Sequence, residues 1–353
     1  MSWSDAPETS LVIEPTPEAP RNSEGAIIEL ADGRLLLAYS RFTGGGADAA
    51  TAHIASRVSE DGGRTWSEDS VLQECVGDLN VMSVSLLRLQ SGDILFGYMV
   101  KNSWGDCRLY VRRSGDEMET LSEPVCATDA EIYHVINNDR LVQLDSGRII
   151  VPAALHPCED GTRETWSGRA KAACYYSDDD GRTWNRAPGT LAIPDRIETG
   201  TGLQEPGVVE LEDGRLYTWA RTDLGTQFEA ISGDGGETWS RPAPSPLCSP
   251  RSPASIKRLP GTGDLLVVWN DHSGRHPFPE GKRTPLCTAI SRDEGRTWEN
   301  SRVLEGDPDG WYCYISITCV EEAVLLSYCA GDTKVGGLNR LKITRVPRTW
   351  LYG

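Results

Sequence analysis

Short apolar runs separated by turn-forming residues recur along the whole chain. Runs at residues 26–30 and 35–37, for example, flank a turn that contains Gly33. The same arrangement recurs around Gly92, Gly147, Gly214 and Gly263, and around Ala323 without a glycine. Two short apolar runs joined by a glycine-containing turn are typical of a β-hairpin. No segment has a sustained apolar period of 3.6 residues, so the pattern predicts an all-β chain without long helices.

A second pattern keeps a similar spacing. The motif Ser-x-Asp-x-Gly-x-Thr-Trp starts at Ser59, Ser177, Ser232 and Ser291, and a decayed copy starting at Ser114 keeps the Ser, Asp and Thr. Successive copies start 55, 63, 55 and 59 residues apart, and such regular spacing indicates a repeat architecture. Ser and Asp side chains bond nearby backbone amides and Gly accepts a positive φ, so the motif predicts a structural turn. It lacks the last glutamate and the flanking helices of an EF-hand calcium loop.

Hairpin and motif together predict a unit of four strands that is repeated six times. Six such units describe a six-bladed β-propeller, which closes radially and leaves only short exposed edges. The last unit has no fourth strand of its own, and the apolar residues 11–13 are expected to complete it. We therefore expect one domain over residues 1–353.

Composition and charge narrow the expected partners and location. The chain has 36 Gly, 21 Pro and 11 Trp and no apolar run of membrane-spanning length, so it is expected to be a turn-rich globular protein without a membrane span. A formal net charge of −17 disfavours nucleic acid and anionic membranes as general partners. Residues 1–20 show no secretory signal and the ten cysteines have irregular spacing, which favours reduced thiols and a cytoplasmic location, although removal of a signal stays open. No spacing indicates a metal site, and no cofactor-binding motif is visible.

One position near the start of the innermost strand of each unit carries the candidate chemistry. Counting back from the hairpin turns, these positions are Glu24, Ser83, Asn138, Glu205, Pro253 and Tyr314. Equivalent positions in a radial array lie at equal depth around its axis, so the six are expected to line one central funnel. Their largely polar character is typical of a solvated site.

The repeated motif is the Asp box, and six units that carry it resemble the sialidase (neuraminidase) superfamily over essentially the whole chain. The resemblance implies an exo-acting, retaining glycoside hydrolase that releases terminal sialic acid or a related 2-keto-3-deoxy acidic sugar. It also implies a tyrosine nucleophile with a glutamate partner, and Tyr314 and Glu205 match that pair. A neutral tyrosine avoids the repulsion that an attacking carboxylate would meet at a sugar carrying its own carboxylate.

The resemblance further implies three arginines that bind the sugar carboxylate through paired hydrogen bonds, and an acid/base aspartate. The matching arginines are Arg21 ahead of the first inner strand, Arg221 after the hairpin of unit four, and Arg283 ahead of the last Asp box. Asp48 is the only acid on the glycine-rich loop where the family carries its acid/base residue. Three glycines at residues 44–46 suit a loop that closes over substrate.

The sequence departs from the family pattern in two places. Asn22-Ser23 replaces the Ile-Pro that usually follows the first arginine, and the acid expected near the end of the next strand is replaced around residues 39–40. Unit three also carries a polar run that includes His134, Asn138 and Arg140, with His156 one strand later. These residues, together with Glu24, are candidate substrate contacts, and the two histidines fit equally well as core residues.

Two other functions stay open at this stage. One is hydrolysis or lyase cleavage of glycans that contain uronic acid, using the polar run of unit three. The other is a non-catalytic propeller that binds carbohydrate. In each case the expected partner is an acidic sugar or a glycan, and no cofactor is expected.

Overall fold

The structure, a computed structural model, describes residues 5–128 and 132–353, and β-strands form nearly all of its regular structure. The strands are β1 (Glu8–Ile13), β2 (Arg21–Glu29), β3 (Leu35–Phe42), β4 (Ala52–Ser59), β5 (Ser70–Gln73), β6 (Asn80–Arg88), β7 (Ile94–Lys101), β8 (Cys107–Ser114), β9 (Val125–Cys126), β10 (Tyr133–Val135), β11 (Val142–Gln143), β12 (Ile149–His156), β13 (Lys171–Ser177), β14 (Asn185–Leu191), β15 (Gln204–Glu210), β16 (Leu216–Arg221), β17 (Thr226–Ser232), β18 (Ala243–Cys248), β19 (Ser255–Arg258), β20 (Leu265–Asn270), β21 (Leu286–Ser291), β22 (Glu299–Glu305), β23 (Trp311–Val320), β24 (Ala323–Gly331) and β25 (Leu341–Pro347). One short helix, α1 (Arg348–Tyr352), follows β25. None of the helical structure in the described parts of the chain is long and apolar enough to cross a membrane.

The strands form four four-stranded sheets and one larger sheet. Three of the four-stranded sheets are simple antiparallel meanders, with the orders β2-β3-β4-β5, β15-β16-β17-β18 and β19-β20-β21-β22. The fourth has the order β1-β25-β24-β23, so the first strand of the chain pairs with the last. Ile13 of β1 lies opposite Leu341 of β25, and residues 11–13 therefore complete the last sheet, as the sequence predicts.

The larger sheet consists of two successive meanders joined at one point. The first contains β6, β7, β8 and β9, and the second contains β10, β11, β12, β13 and β14. A single parallel pairing between Tyr133 of β10 and Cys107 of β8 connects them. Short β10 and β11 both pair with β12, so together they occupy the place of one first strand.

The core lies between neighbouring sheets, and this explains why the second strand of each meander is apolar on both faces. In β3, Leu36 packs in one cluster with Phe96 of β7, whereas Leu37 packs in another with Leu325 of β24. Successive side chains of a strand point to opposite faces, so each of these two leucines contacts a different neighbouring sheet. The first strands also touch their neighbours, because β2 packs against β6 and β23, and β15 packs against β12 and β19.

The Asp boxes form the same turn in every copy, immediately after the third strand of a meander. In the first copy, the Ser59 hydroxyl accepts a hydrogen bond from the amide of Gly63 (2.8 Å), and the Asp61 carboxylate accepts bonds from the amide (2.9 Å) and hydroxyl (2.7 Å) of Thr65. The copies that start at Ser114, Ser177, Ser232 and Ser291 repeat this set, including the decayed copy. The motif is therefore structural, as its composition predicts.

A β-bulge interrupts β2, β6, β15 and β23 at the positions that the sequence singles out. Glu24, Ser83, Glu205 and Tyr314 have φ angles of 55°, 57°, 47° and 59°, and the register of each strand shifts at that residue. A left-handed conformation is unusual for residues other than glycine, and a bulge changes the direction of a side chain. Strained backbone of this kind clusters at functional sites.

Units three and five depart from this arrangement. Residues 136–141 form no strand, and the left-handed residue there is Asp139 (φ 56°). Asn138 is fully buried, and its side-chain amide donates to the carbonyl oxygens of Gly25 (2.7 Å) and Tyr314 (3.0 Å). The prediction that Asn138 lines the funnel is therefore wrong, since its amide joins two neighbouring inner strands instead. Pro253 lies ahead of β19 and outside the cavity described below.

Candidate active site

A cavity of about 200 Å³ opens where the four bulged strands meet. All four bulge residues line it, and so do Asp48 and Arg221. The bulges therefore direct side chains from four separate sheets into one cavity. Glu24 and Tyr314, the two most distant in sequence, are 290 residues apart (314 − 24).

Tyr314, Glu205 and Arg221 form a connected row in this cavity. The Tyr314 hydroxyl donates to Glu205 Oε1 at 3.2 Å, and Arg221 Nη1 lies 2.6 Å from Glu205 Oε2. Arg221 Nε also donates to the side-chain oxygen of Gln204 at 3.1 Å, which fixes the plane of the guanidinium group. The sequence-predicted tyrosine and glutamate thus lie within hydrogen-bond distance of each other.

The environment of Tyr314 keeps its phenol protonated. Burial raises the pKa of Tyr314 well above that of a free phenol, and the negative charge of Glu205 raises it further. The positive charges of Arg283 and Arg221 act in the opposite direction. A phenol in this state can attack an electrophile only if its proton moves to an acceptor at the same time, and Glu205 is the acceptor in contact.

Arg21 lies between two carboxylates that line the cavity, although it is not itself a lining residue. Its Nη2 is 3.1 Å from Glu24 Oε1, and its Nη1 is 2.5 Å from Asp48 Oδ1. The Ser83 hydroxyl donates to Glu24 Oε2 at 3.2 Å, and the guanidinium group of Arg21 lies over the ring of Phe42. Arg21 itself is buried, whereas the Asp48 side chain is 59% exposed at the cavity mouth.

The two carboxylates beside Arg21 have opposite pKa shifts. Burial raises the pKa of Glu24 to about 7, although the charge of Arg21 lowers it. Desolvation would also raise the pKa of Asp48, but the charge and hydrogen bond of Arg21 outweigh it and hold that pKa below its usual value. With Arg21 as its partner, Asp48 is therefore ionised at neutral pH.

Arg283 has an unused hydrogen-bonding nitrogen. The residue is 9% exposed, its guanidinium carbon lies 5.6 Å from the centre of the Tyr314 ring, and its charge interacts with both Glu205 and Asp48. Nη1 of Arg283 is buried and has no hydrogen-bond partner among the described residues. Arg283 borders a neighbouring hollow together with Lys282 and Trp311 and is not among the residues that line the cavity.

Two buried residues that sequence reasoning missed fix the loop of Asp48. Asn80 Nδ2 donates to the carbonyl oxygens of Asp48 and Ala50, both at 2.9 Å, and Lys101 Nζ donates to the Asp48 carbonyl oxygen at 3.1 Å. Both side chains are fully buried. The available signal was a single lysine at the end of the otherwise apolar strand β7, ILFGYMVK.

An aromatic wall, formed by Trp104, Tyr133 and Trp166, lines the cavity and was also missed. The rings of Trp104 and Tyr133 stack with centres 5.5 Å apart, and Trp166 meets both edge-on at 5.7 Å. The exposed Arg163 lies over Trp104 and Trp166 at 4.9 and 5.0 Å. Tryptophans in turn-rich segments between strands were the only sequence signal.

His134 and His156 line the cavity as predicted, but protein groups engage both rings. Nδ1 of His134 lies 3.0 Å from the Cys107 carbonyl oxygen, and its Nε2 lies 2.8 Å from the Tyr175 hydroxyl. His156 stacks on Trp166 with ring centres 4.6 Å apart, and burial lowers its pKa to about 4. His156 is therefore neutral at neutral pH and continues the aromatic wall.

Arg140, a predicted substrate contact, does not line this cavity. It is buried, and its Nη2 donates to the Ala254 carbonyl oxygen at 2.9 Å, with Nη1 also facing Ser255 Oγ at 3.3 Å. It lines a separate hollow together with Asp139 and Lys257. The side chain of Arg140 therefore lies in this second hollow and not beside Tyr314. The polar character of segment 136–141 does not predict which of the two hollows a side chain enters.

Comparisons with known proteins identify the family of the chain and structures with a similar fold. The BNR repeat-like domain family matches residues 86–326. A sialidase of Micromonospora viridifaciens is 25% identical over 335 residues, which cover 84% of this chain and 48% of that protein. The chain therefore spans about half the length of this curated relative.

Solved structures share the fold over almost the whole chain. A protein of unknown function from Dyadobacter fermentans has a TM-score of 0.73 at 19% identity and covers 97% of this chain and 99% of its own. A leech intramolecular trans-sialidase, solved in complex with 2,7-anhydro-Neu5Ac, has a TM-score of 0.72 at 15% identity, with 98% of this chain and 70% of its own covered.

Proposed function

The chain belongs to the sialidase/BNR-repeat superfamily, and on that premise we propose that it is a retaining exo-glycosidase that releases a terminal sialic acid or a related 2-keto-3-deoxy acidic sugar. The observation that carries the proposal is the hydrogen bond between Tyr314 and Glu205 in a cavity that Arg221 also lines. A phenol paired with a carboxylate is the chemistry needed to attack a sugar that carries its own negative charge.

We also propose that the fold is a single six-bladed β-propeller. Four four-stranded sheets and a larger sheet of two meanders support six units. The packing of β2 against both β6 and β23 supports radial closure, and the pairing of β1 with β25 supplies the fourth strand of the last unit.

The substrate carboxylate would be bound by Arg21, Arg221 and Arg283. Nη1 of Arg283 is buried and has no hydrogen-bond partner among the described residues. Arg221 forms an ion pair with Glu205. Planar guanidinium groups bind carboxylates through paired, charge-assisted hydrogen bonds. Binding there would place the anomeric carbon, to which the carboxylate is attached, next to the Tyr314 oxygen.

In the first chemical step, the Tyr314 oxygen would bond to the anomeric carbon while its proton passes to Glu205. The glycosidic bond breaks, and the leaving oxygen takes a proton from Asp48. In the second step, water attacks the same carbon from the side that the leaving group vacated, and Asp48 accepts a proton from it. Tyr314 leaves as a phenol with the proton returned by Glu205, so two inversions give overall retention.

Substrate binding would prepare Asp48 for its role as an acid. In the ligand-free protein, Arg21 holds the pKa of Asp48 low. A substrate carboxylate that takes over Arg21 would remove this stabilisation and add a nearby negative charge, and both changes raise the pKa of Asp48. Protonation of Asp48 is thereby coupled to occupancy of the site.

Hydrolysis of the 4-methylumbelliferyl sialoside tests the proposal. We expect release of 4-methylumbelliferone by the wild type and a loss of at least about 10³-fold in kcat for Tyr314→Phe, because the nucleophile is removed. Tyr312→Phe, which alters a tyrosine two residues earlier in β23, is the matched control and is expected to keep activity. Equal background rates for wild type and Tyr314→Phe on several nonulosonic and uronic substrates would exclude the hydrolase.

The same preparation distinguishes the other functions. A lyase acting on uronic-acid glycans creates a conjugated double bond, so its product absorbs in the ultraviolet. A non-catalytic binding protein would bind sialic acid with unchanged affinity after removal of Tyr314 or Asp48, and would release no sugar.

A further inference from the structure

Three side chains outside the cavity bring together different metal-ligating atoms. A carboxylate oxygen of Asp271, a ring nitrogen of His276 and the sulfur of Cys287 all lie within 4.8 Å of one another. Asp271 and Cys287 are buried, and His276 is partly exposed. The cluster therefore has a protected interior and one side open to solvent.

Antiparallel pairing of β20 with β21 brings these three residues together at one end of the two strands. Asp271 directly follows β20, Cys287 is the second residue of β21, and His276 lies on the loop between these strands. Asn270 pairs with Leu286 across the two strands, so both ends of the loop meet beside the cluster. Sequence spacing alone indicates no metal site, because the ligands are separated by four and ten intervening residues.

The donor set selects a class of ion. One thiolate, one imidazole and one carboxylate suit zinc and related transition metals, whereas magnesium and calcium require oxygen ligands. Metal binding would release the thiol proton of Cys287 to solvent, and the resulting thiolate and the carboxylate would together carry two negative charges that a divalent cation neutralises. Zinc sites of this type take three protein ligands and complete a tetrahedron with a fourth group.

The ion pair that the buried Asp271 forms with Arg275 is long and half exposed. The amide of Ser273 donates to its Oδ1 at 2.9 Å, and Nη1 of Arg275, whose side chain is half exposed, lies 3.6 Å from its Oδ2. A carboxylate that is 1% exposed pays a desolvation cost that a partner at this distance offsets only weakly. A directly bound cation would offset it far better.

Ser301 lies beside the same ligands. Its hydroxyl is 3.3 Å from Asp271 Oδ2 and 3.2 Å from a ring nitrogen of His276. The hydroxyl of Ser301, or a water in its place, is in position to supply a fourth ligand.

We propose that Asp271, His276 and Cys287 bind a divalent transition metal ion, with zinc the best match to the donor set. This site is separate from the proposed glycosidase chemistry and does not depend on it. The ion would join the two ends of the loop that carries Arg283. Asn270 Nδ2 already donates to the Arg283 carbonyl oxygen at 2.8 Å, so the metal would reinforce an existing connection.

Cobalt titration of untagged, chelator-treated full-length protein tests the site directly. We expect one equivalent of Co²⁺ to bind and to produce a sulfur-to-cobalt charge-transfer band in the near ultraviolet, which reports a thiolate ligand. One equivalent of Zn²⁺ should displace the cobalt and raise the Tm. Failure of the wild type to bind one equivalent, or binding without the charge-transfer band, would overturn the proposal.

Ligand variants and matched controls locate the binding. Cys287→Ser and His276→Ala should each weaken metal binding at least about tenfold, because each removes a direct ligand, and Cys287→Ser should also abolish the charge-transfer band. Cys174→Ser, at a buried cysteine in the third strand of another meander, and His53→Ala, at a partly exposed histidine, should bind like the wild type. If one of the two ligand variants fails to fold, the other provides the test. Wild-type affinity for cobalt in every ligand variant that folds would overturn the proposal.

Discussion

At the scale of single residues, the cavity shifts the pKa values of its ionisable groups away from those of free side chains. Tyr314 is kept protonated by burial and by Glu205, and Asp48 is kept ionised by Arg21. Glu24 differs from both, because it is buried beside Arg21 and its pKa is raised to about 7. The charge of Arg21 therefore offsets only part of the desolvation free energy of the ionised Glu24 side chain.

This raised pKa predicts a pH-dependent cost to stability. The folded-state pKa of Glu24 is about 7 and its ordinary value is 4.5, so folding becomes less favourable as pH rises from about 4.5 to about 7. The total loss is about 3 kcal/mol, and below that range the group is protonated in both states and contributes nothing. Relative to the wild type, Glu24→Gln should therefore gain stability as pH increases.

Urea unfolding of wild type and Glu24→Gln at several pH values between 4.5 and 8 measures this difference. Glu29→Gln, at the exposed end of the same strand, is the control and should follow the wild type. Parallel pH profiles for wild type and Glu24→Gln would contradict the prediction. Unfolding rather than enzyme activity is measured, because Glu24 contacts Arg21 in the candidate site and its substitution would also change activity.

At the scale of elements, bulges and loops determine where the reactive groups lie. The same left-handed bulge in β2, β6, β15 and β23 places Glu24, Ser83, Glu205 and Tyr314 around one cavity. Counting from the hairpin turns identified these four positions because the hairpins repeat with nearly constant length. The count failed in unit three, where polar side chains bond backbone groups and replace the strand, as with Asn137 and the amide of Asn138.

The loop of Asp48 depends on side chains of the next sheet. Asn80 binds two carbonyl oxygens of this loop, so Asn80→Ala should let Asp48 shift from its position. Small displacements of a reacting group cost up to about 10²-fold in rate, and we expect a fall in kcat of about 10- to 100-fold with a smaller change in KM. Steady-state kinetics on the umbelliferyl sialoside give both constants.

Asn102→Ala is the control, since Asn102 follows β7 and its side chain bonds Asp106 rather than the Asp48 loop. If Asn80→Ala retains the wild-type kcat while its fold is intact by circular dichroism, Asn80 does not position Asp48. A parallel fall in stability is expected, because the two carbonyl oxygens lose their buried donor.

At the scale of the whole molecule, the first and last strands hold the architecture together. β1 pairs with β25, and Ile13 packs with Ile27 of β2 and Leu325 of β24. Strand β1 and the strands β24 and β25 therefore share one core cluster with the sheet β2-β3-β4-β5. An unpaired β25 would also expose a sheet edge to other molecules.

Removal of β1 should destabilise the entire protein rather than one sheet. A protein that begins at residue 14 is expected to have a lower Tm and to aggregate at lower temperature than the full chain, as measured by calorimetry and light scattering. A protein that begins at residue 6 keeps β1 and should melt like the full chain. Equal Tm values for all three would show that β1 is dispensable.

Local patterns in the sequence determined the strands, the hairpins, the Asp-box turns and the completion of the last sheet by residues 11–13. These features depend on alternation of apolar residues and on turn chemistry within a few positions, and both can be read from neighbouring residues. The family resemblance assigned roles to Tyr314 and Glu205 and added Asp48 and the three arginines as candidates.

Only the tertiary structure decided which side chains meet. It showed that Asn80 and Lys101 hold the loop of Asp48, that an aromatic wall lines the cavity, and that Arg140 points elsewhere. It also brought Asp271, His276 and Cys287 together. Each of these contacts depends on loop paths and on the register between strands, and a one-residue change in register reverses the face of every side chain in a strand.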